Sequence, residues 1–256
     1  MEIFNICVWG KDKRLDAVEQ FFYDRGFDVY RELEYIDKNS ILVLPPPVNE
    51  DIANVLKKYV HSGQIIYGGA ISDGAKKILE QCNLWDYLNW QNVVAENARL
   101  TAKGIIKQAI NVGAIFEEAS CLVTGYGFCG KEIAIQLKNA LANVDVAVRR
   151  KELRREIEKI NCEYVDINDL KINNLEKYSY IFNSVPALIF DKDIIDLLAP
   201  DAMIFDIASK PGGTEFSYCV EKGIYAVNSL GIPGKEYPDE AGKIIANAVN
   251  EHIISL

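Results

Sequence analysis

The chain of 256 residues is 49% hydrophobic and carries 28 basic against 37 acidic side chains, a net charge of −9. That length supports two modest domains, each with its own core. The acidic balance speaks against a nucleic-acid-binding surface and against attraction to anionic membranes, so an anionic ligand must be held by local cations.

No run approaches the ~18 consecutive apolar residues of a membrane span, and the start Met1-Glu2-Ile3-Phe4-Asn5 lacks the basic opening of a signal peptide. A cytoplasmic location is therefore expected. Cys7, Cys82, Cys121, Cys129, Cys162 and Cys219 form no CxxC pair and mostly sit in apolar contexts, so they read as small core residues. With His61 and His252 as the only histidines, no metal site is expected and a Ser-His-Asp triad has little support.

Along the chain, apolar runs alternate with amphipathic stretches at 4–9, 15–23, 27–30, 41–44, 52–60, 64–67 and 75–82. That βα rhythm predicts a parallel sheet flanked by helices. The aromatic segment 84–90 breaks it, and 97–111 then has the spacing of a helical connector, where a hinge between domains is expected. Strands are predicted at 121–124, 144–148, 162–165, 180–183, 203–207 and 224–227, with helices between them. Six parallel strands make a doubly wound sheet. The tail reads as an amphipathic helix that can pack back on the first domain. The expected division is a smaller α/β domain over 1–95, with 239–256 against it, and a Rossmann domain over 96–238 that includes the connector.

The second domain opens with a strand, the turn Gly125-Tyr126-Gly127-Phe128-Cys129-Gly130 and a helix. Glycines in such a turn let the backbone approach a pyrophosphate while the amides at the helix start face its charge. After the next strand, where an acidic residue would hold a ribose 2′-hydroxyl, stand Arg149-Arg150-Lys151. Cations at that place favour a 2′-phosphate, hence NADP over NAD; the alternative is a solvated helix start.

Ligands of a doubly wound sheet gather at the carboxyl ends of its strands. The segments there are Asn183-Ser184-Val185-Pro186-Ala187, Ala208-Ser209-Lys210-Pro211-Gly212-Gly213-Thr214 and Gly231-Ile232-Pro233-Gly234-Lys235, all read as loops. Ser184 and Ser209 can donate to carboxamide or carboxylate oxygens, and Lys210 and Lys235 can pair with substrate carboxylates; the plainer reading is that the prolines and glycines only make turns. In the first domain Gly68 and Gly69 permit a ligand to approach the backbone, and the connector offers Arg99 as a carboxylate fork beside Thr101. No base is evident; Tyr67 or a water are candidates.

The segments 123–127, 183–186, 206–214 and 231–235, with Ala241-Gly242 beyond, resemble the A subunit of dipicolinate synthase over nearly all of the chain from Ser120 onward. The resemblance implies a flavodoxin-like N-terminal domain joined to a Rossmann domain, and oxidation of dihydrodipicolinate to the pyridine dicarboxylate with NADP during sporulation, in the mother cell. It implies Ser184, Val185 and Pro186 beside the cofactor, and a partner in the flavoprotein-like B subunit; a homo-oligomer is compatible with it. The chain departs from the family at Phe128, where relatives often carry arginine, and at Leu100 and Lys103, where proline and glutamate are expected. Two other readings stay open. One is an NADP-binding regulatory or scaffold subunit whose partner does the chemistry. The other is a 2-hydroxy-acid dehydrogenase, for which a suitable His and carboxylate pair is wanting.

Overall fold

In the computed structural model, residues 5–255 are described; Phe4, at the head of the first predicted strand, lies outside them. The chain divides into two compact units, one formed by 5–97 with 233–255 and the other by Ala98–Ile232.

The first unit is built on β1 (Asn5–Val8), β2 (Asp28–Tyr30), β3 (Ser40–Val43), β4 (Ile65–Gly68) and β5 (Asn83–Asp86), with α1 (Arg14–Tyr23), α2 (Glu50–Leu56) and α3 (Asp73–Ile78) between them. All pairs are parallel and the order is β2-β1-β3-β4-β5, the flavodoxin-like arrangement. Side chains buried on both faces explain why the central strands are continuous apolar runs. Helix starts are set by capping: Asn49 accepts from the Ile52 amide at 3.1 Å and Ser72 from the Ala75 amide at 3.1 Å.

The fifth strand overlaps the segment 84–90 that was expected to break the rhythm. Its four residues sit at the sheet edge, where burial alternates weakly, and its final residue, Asp86, supplies a carboxylate rather than an apolar side chain. That carboxylate accepts from the amides of Ala70 at 3.1 Å and Ile71 at 3.0 Å, tying the turn after β4 to the edge. A short polar edge strand has little periodic signal to read.

Helix α4 (Gln91–Asn111) starts six residues before its predicted position and runs through the boundary between the units. The second unit holds β6 (Ser120–Thr124), α5 (Phe128–Asn139), β7 (Asn143–Val148), α6 (Arg154–Lys159), β8 (Glu163–Asp166), β9 (Tyr180–Asn183), α7 (Lys192–Ile195), β10 (Met203–Asp206), α8 (Phe216–Lys222) and β11 (Tyr225–Asn228). Its sheet is wholly parallel in the order β11-β10-β9-β6-β7-β8, a Rossmann arrangement whose direction reverses between β6 and β9. One core packs α4, α5 and α6 on one face through Ile105, Ile133 and Ile157, and a second packs α7 and α8 on the other through Ile194 and Cys219. Each such large aliphatic side chain, fully buried, contributes about 1.5–3 kcal/mol.

Residues 231–235, expected as a loop, are a turn at Gly231 (φ 72°) followed by the single-turn helix α9 (Ile232–Glu236). Pro233 does not prevent this, since a proline in the first turn forfeits an amide that has no intrahelical acceptor. The last helix, α10 (Pro238–Ser255), packs on α1 and places Ile245 and Val249 in the core with Leu15, Val18 and Phe22. Gly242 makes that approach possible, because a Cβ there would run into the Arg14 carbonyl oxygen. No helix among the described residues is long and apolar enough to cross a membrane.

Candidate functional site: the carboxyl end of the second sheet

The three glycines between β6 and α5 have three different local reasons. Gly125 has φ +92°, in the left-handed region, and a Cβ on it would meet the Ser184 hydroxyl. Gly130 lies where the helix comes closest to the turn; its Cβ would strike the Gly125 carbonyl oxygen and stand 2.9 Å from Ser184 Oγ. Gly127 is the exception. Its φ is −79° and a Cβ on it would meet nothing within 4 Å. Packing does not demand a glycine there, whereas an approaching pyrophosphate would. Gly127 is also the N-cap of α5 and has no side chain to cap it, so the first-turn amides are directed at the same open space.

Beside the turn a cavity of about 270 Å³ is lined by Gly125, Tyr126, Ala147, Val148, Arg149, Arg150, Leu153, Ile167 and Val185. Arg149 and Arg150 are exposed at the end of β7, and neither has an ion-pair partner among the described residues. Lys151 differs, with its ammonium 3.8 Å from the Asp166 carboxylate. Tyr126 is buried, its hydroxyl donating to the Glu156 carbonyl at 3.4 Å, and burial pushes the phenol pKa up. Phe128 is 49% exposed on the first turn of α5, and can give a phosphate no side-chain contact. Cys129, next in the helix, is half-buried; burial raises its thiol pKa, while a hydrogen bond with Thr101 pulls it down.

The last rung of the sheet brings Thr124, Asn183 and Asp206 side by side on β6, β9 and β10. Thr124 Oγ1 donates to Asn183 Oδ1 at 2.6 Å, and Asn183 Nδ2 donates to Asp206 Oδ1 at 3.0 Å. Asp206 is 1% exposed, yet both its oxygens are filled: Oδ1 also accepts from the Ala208 amide at 2.8 Å, and Oδ2 accepts from the Gly213 amide at 3.2 Å and Thr214 Oγ1 at 2.7 Å. A buried carboxylate without a cation needs such donors. Sequence reasoning passed over this row. Its signal was a polar residue closing each of three otherwise apolar strands.

The residues singled out from the sequence fall into distinct places. Gly125 to Gly130, Arg149, Arg150, Ser184 and Val185 cluster at this end of the second sheet, with Pro186 exposed just beyond. Ser184 is not a free donor: its hydroxyl gives its proton to the Thr124 carbonyl at 2.8 Å and sits under Gly125 and Gly130. Ser209, Lys210 and Pro211 are exposed at the tip of the loop after β10, which the Gly212 amide closes onto the Ser209 carbonyl at 2.9 Å. Arg99 and Thr101 lie on α4, and Lys235 is exposed on α9.

Three candidates of the first unit have ordinary structural explanations. A Cβ at Gly68 would meet Val48 Cγ2 at 2.7 Å, and one at Gly69 would meet Tyr87 Cε2 at 2.7 Å and Pro46 Cβ at 2.8 Å, so protein atoms and not open space surround both glycines. Tyr67 is fully buried with its hydroxyl 2.8 Å from His252 Nδ1, and burial pushes its pKa far up. A phenol so placed is a poor base, which removes Tyr67 from the catalytic candidates. His252 itself stands between Trp85 and Trp90, and neither histidine is in an ion pair with a carboxylate among the described residues.

No protein-family model matches the chain. It is similar to the A subunit of dipicolinate synthase from Bacillus subtilis (strain 168), with 29% identity over 161 residues, which is 62% of this chain and 54% of that protein. The matched part thus spans about half the length of that relative. Among solved structures it resembles the A subunit of dipicolinate synthase from Bacillus halodurans, with TM-score 0.84 and 21% identity over 97% of each chain. It also resembles the transhydrogenase of Sinorhizobium meliloti, with TM-score 0.75 and 12% identity over 98% of this chain and 94% of that one. The resemblance to the dipicolinate synthase chain is therefore found in sequence and in fold alike, and the second neighbour shares the fold.

Proposed function

We propose that this chain, similar to the A subunit of dipicolinate synthase, is an NADP-dependent oxidoreductase that converts dihydrodipicolinate to dipicolinate. The observation that carries the cofactor half is Gly127, a glycine required neither by φ nor by packing, in front of a helix start and next to two arginines that have no ion-pair partner among the described residues. When bound there, NADP supplies the hydride acceptor, so that a dihydropyridine dicarboxylate and NADP⁺ give the aromatic dicarboxylate, NADPH and one proton.

The chain's own part is positioning. First-turn amides of α5 hold the pyrophosphate, Arg149 and Arg150 the 2′-phosphate, and the residues from Ser184 to Pro186 flank the nicotinamide. Lys210 and Arg99, with Thr101, are assigned to the two substrate carboxylates, and Ser209 to a carboxylate oxygen. Aromaticity supplies much of the driving force, so orientation and one modest proton acceptor suffice. Water takes the proton in this scheme. The expected partner is the flavoprotein-like B subunit, and the expected location is the cytoplasm of the mother cell.

One observation favours a second reading, a binding subunit whose partner does the chemistry: the hydroxyls of Ser184 and Tyr67 are both committed within the fold. Mixing the isolated chain with dihydrodipicolinate and NADP separates the two. Formation of NADPH and dipicolinate by the chain alone supports the enzyme; no turnover until the flavoprotein is added supports the binding role.

A further inference from the structure

We infer that Asp206 is a positioning residue that fixes where Lys210 is presented, an assignment that deepens the reading of Lys210 as a carboxylate clamp and rests on it. The loop after β10 leaves the sheet at Ala208 and returns at Gly213 and Thr214, and the two oxygens of this one carboxylate take its two feet. Oδ1 holds the Ala208 amide at 2.8 Å; Oδ2 holds the Gly213 amide at 3.2 Å and Thr214 Oγ1 at 2.7 Å. Between the feet stand Ser209, Lys210 and Pro211, all exposed. With both feet clamped, the loop has few ways to move its lysine.

The same carboxylate couples this loop to its neighbour. Asn183 donates to Asp206 at 3.0 Å and accepts from the Val185 amide at 3.0 Å, so the loop after β9 is held from the same point. Gly213 completes the junction, since a Cβ there would collide with Asn183 Nδ2 and stand 2.7 Å from the Val185 carbonyl oxygen. Thr124, one residue before the glycine turn, closes the row at 2.6 Å. The turn for the pyrophosphate, the Ser184 to Pro186 loop and the Lys210 loop are thus registered on one hydrogen-bonded line. An apolar trio would cost less to bury; what the charged network adds is a single geometry.

The test uses the full chain with Asp206→Asn and Thr214→Val, and Lys210→Ala as reference. The Asp206→Asn amide turns one acceptor into a donor facing donors, and Thr214→Val removes one donor only, a milder change if the first variant folds poorly. Hydrogen exchange of the segment 208–214 is expected to quicken at least about tenfold in Asp206→Asn and less in Thr214→Val, with the β6 and β7 segments unchanged. KM for dihydrodipicolinate is expected to rise as far as in Lys210→Ala, with the dissociation constant of NADP within about threefold of the parent. Unchanged exchange in both variants overturns the assignment, as does a loss of NADP affinity in step with the rise in KM. Quickened exchange with KM unchanged in all three variants upholds the positioning role and refutes the clamp.

Discussion

Replacing Gly127 and Gly130 separately by alanine distinguishes a glycine kept for a ligand from one kept for packing. At Gly127 the φ of −79° suits alanine and the new Cβ meets nothing within 4 Å. Losing a glycine from the unfolded chain gains about 0.4–1 kcal/mol, and replacing glycine by alanine at an N-cap costs an amount of the same order, so stability should change by less than about 0.5 kcal/mol. The Cβ does occupy the space through which a pyrophosphate would reach the amides. Losing one charge-assisted hydrogen bond costs about 1.5–3 kcal/mol, so NADP affinity should fall about tenfold to a hundredfold. At Gly130 the order reverses: the Cβ strikes the Gly125 carbonyl oxygen and Ser184 Oγ, and overpacking of this kind costs about 1–3 kcal/mol before any ligand is added. Denaturant unfolding and calorimetric titration with NADP read both quantities. A Gly127→Ala chain that binds NADP like the parent, or that loses more than about 2 kcal/mol of stability, would refute the argument.

Changing Arg149 and Arg150 together to alanine should weaken NADP by about tenfold or more and leave NAD unchanged, each charge-assisted contact being worth about 1.5–3 kcal/mol; equal affinities of the parent for NAD and NADP would sink the 2′-phosphate assignment. Alkylation at neutral pH should be faster at the half-buried Cys82 and Cys129, whose thiols burial also raises, than at the buried Cys7 and Cys121, pushed up to about 12, and Cys162 and Cys219, pushed up to about 11. Saturating NADP should slow the reaction at Cys129, in the first turn of α5; an unaltered rate would contradict a pyrophosphate there. Asp12 is gripped by the Arg14 guanidinium at 2.8 and 2.7 Å, which holds its carboxyl below the usual range. A depressed carboxyl stabilises the fold above its unfolded pKa and loses that contribution as pH falls through the lower folded value. The stability difference between the parent and Asp12→Asn should therefore be constant from neutral pH to about pH 5 and shrink below about pH 4. A difference that stays constant to lower pH would contradict the pairing.

The fold of the second unit was legible because its strands are apolar runs separated by turn residues, and the six observed strands fall within a residue or so of their predicted places. The first unit was legible except for β5, where a polar edge strand leaves no run to count. Loops were read less well, and for a physical reason. Gly68 and Gly69 look as permissive in sequence as Gly127, but only the position of Val48, Pro46 and Tyr87 shows that the first two are filled and the third is open. Ser184 offered a hydroxyl whose proton is already given to the Thr124 carbonyl, a bond between strands that spacing along the chain does not reveal. Asn183 and Asp206 were in view as parts of motifs, yet their joint work depends on parallel register across β9 and β10. Such register is long-range information.

The proposed function requires that hydride pass directly from the dihydropyridine ring to NADP held by this chain. Dihydrodipicolinate carrying deuterium at its saturated ring carbons, turned over by the isolated chain with NADP, tests it most directly. Direct transfer leaves one deuterium on the nicotinamide ring of each NADPH and yields one NADPH for each dipicolinate formed. Dipicolinate appearing with unlabelled NADPH, or with no NADPH at all, would contradict it.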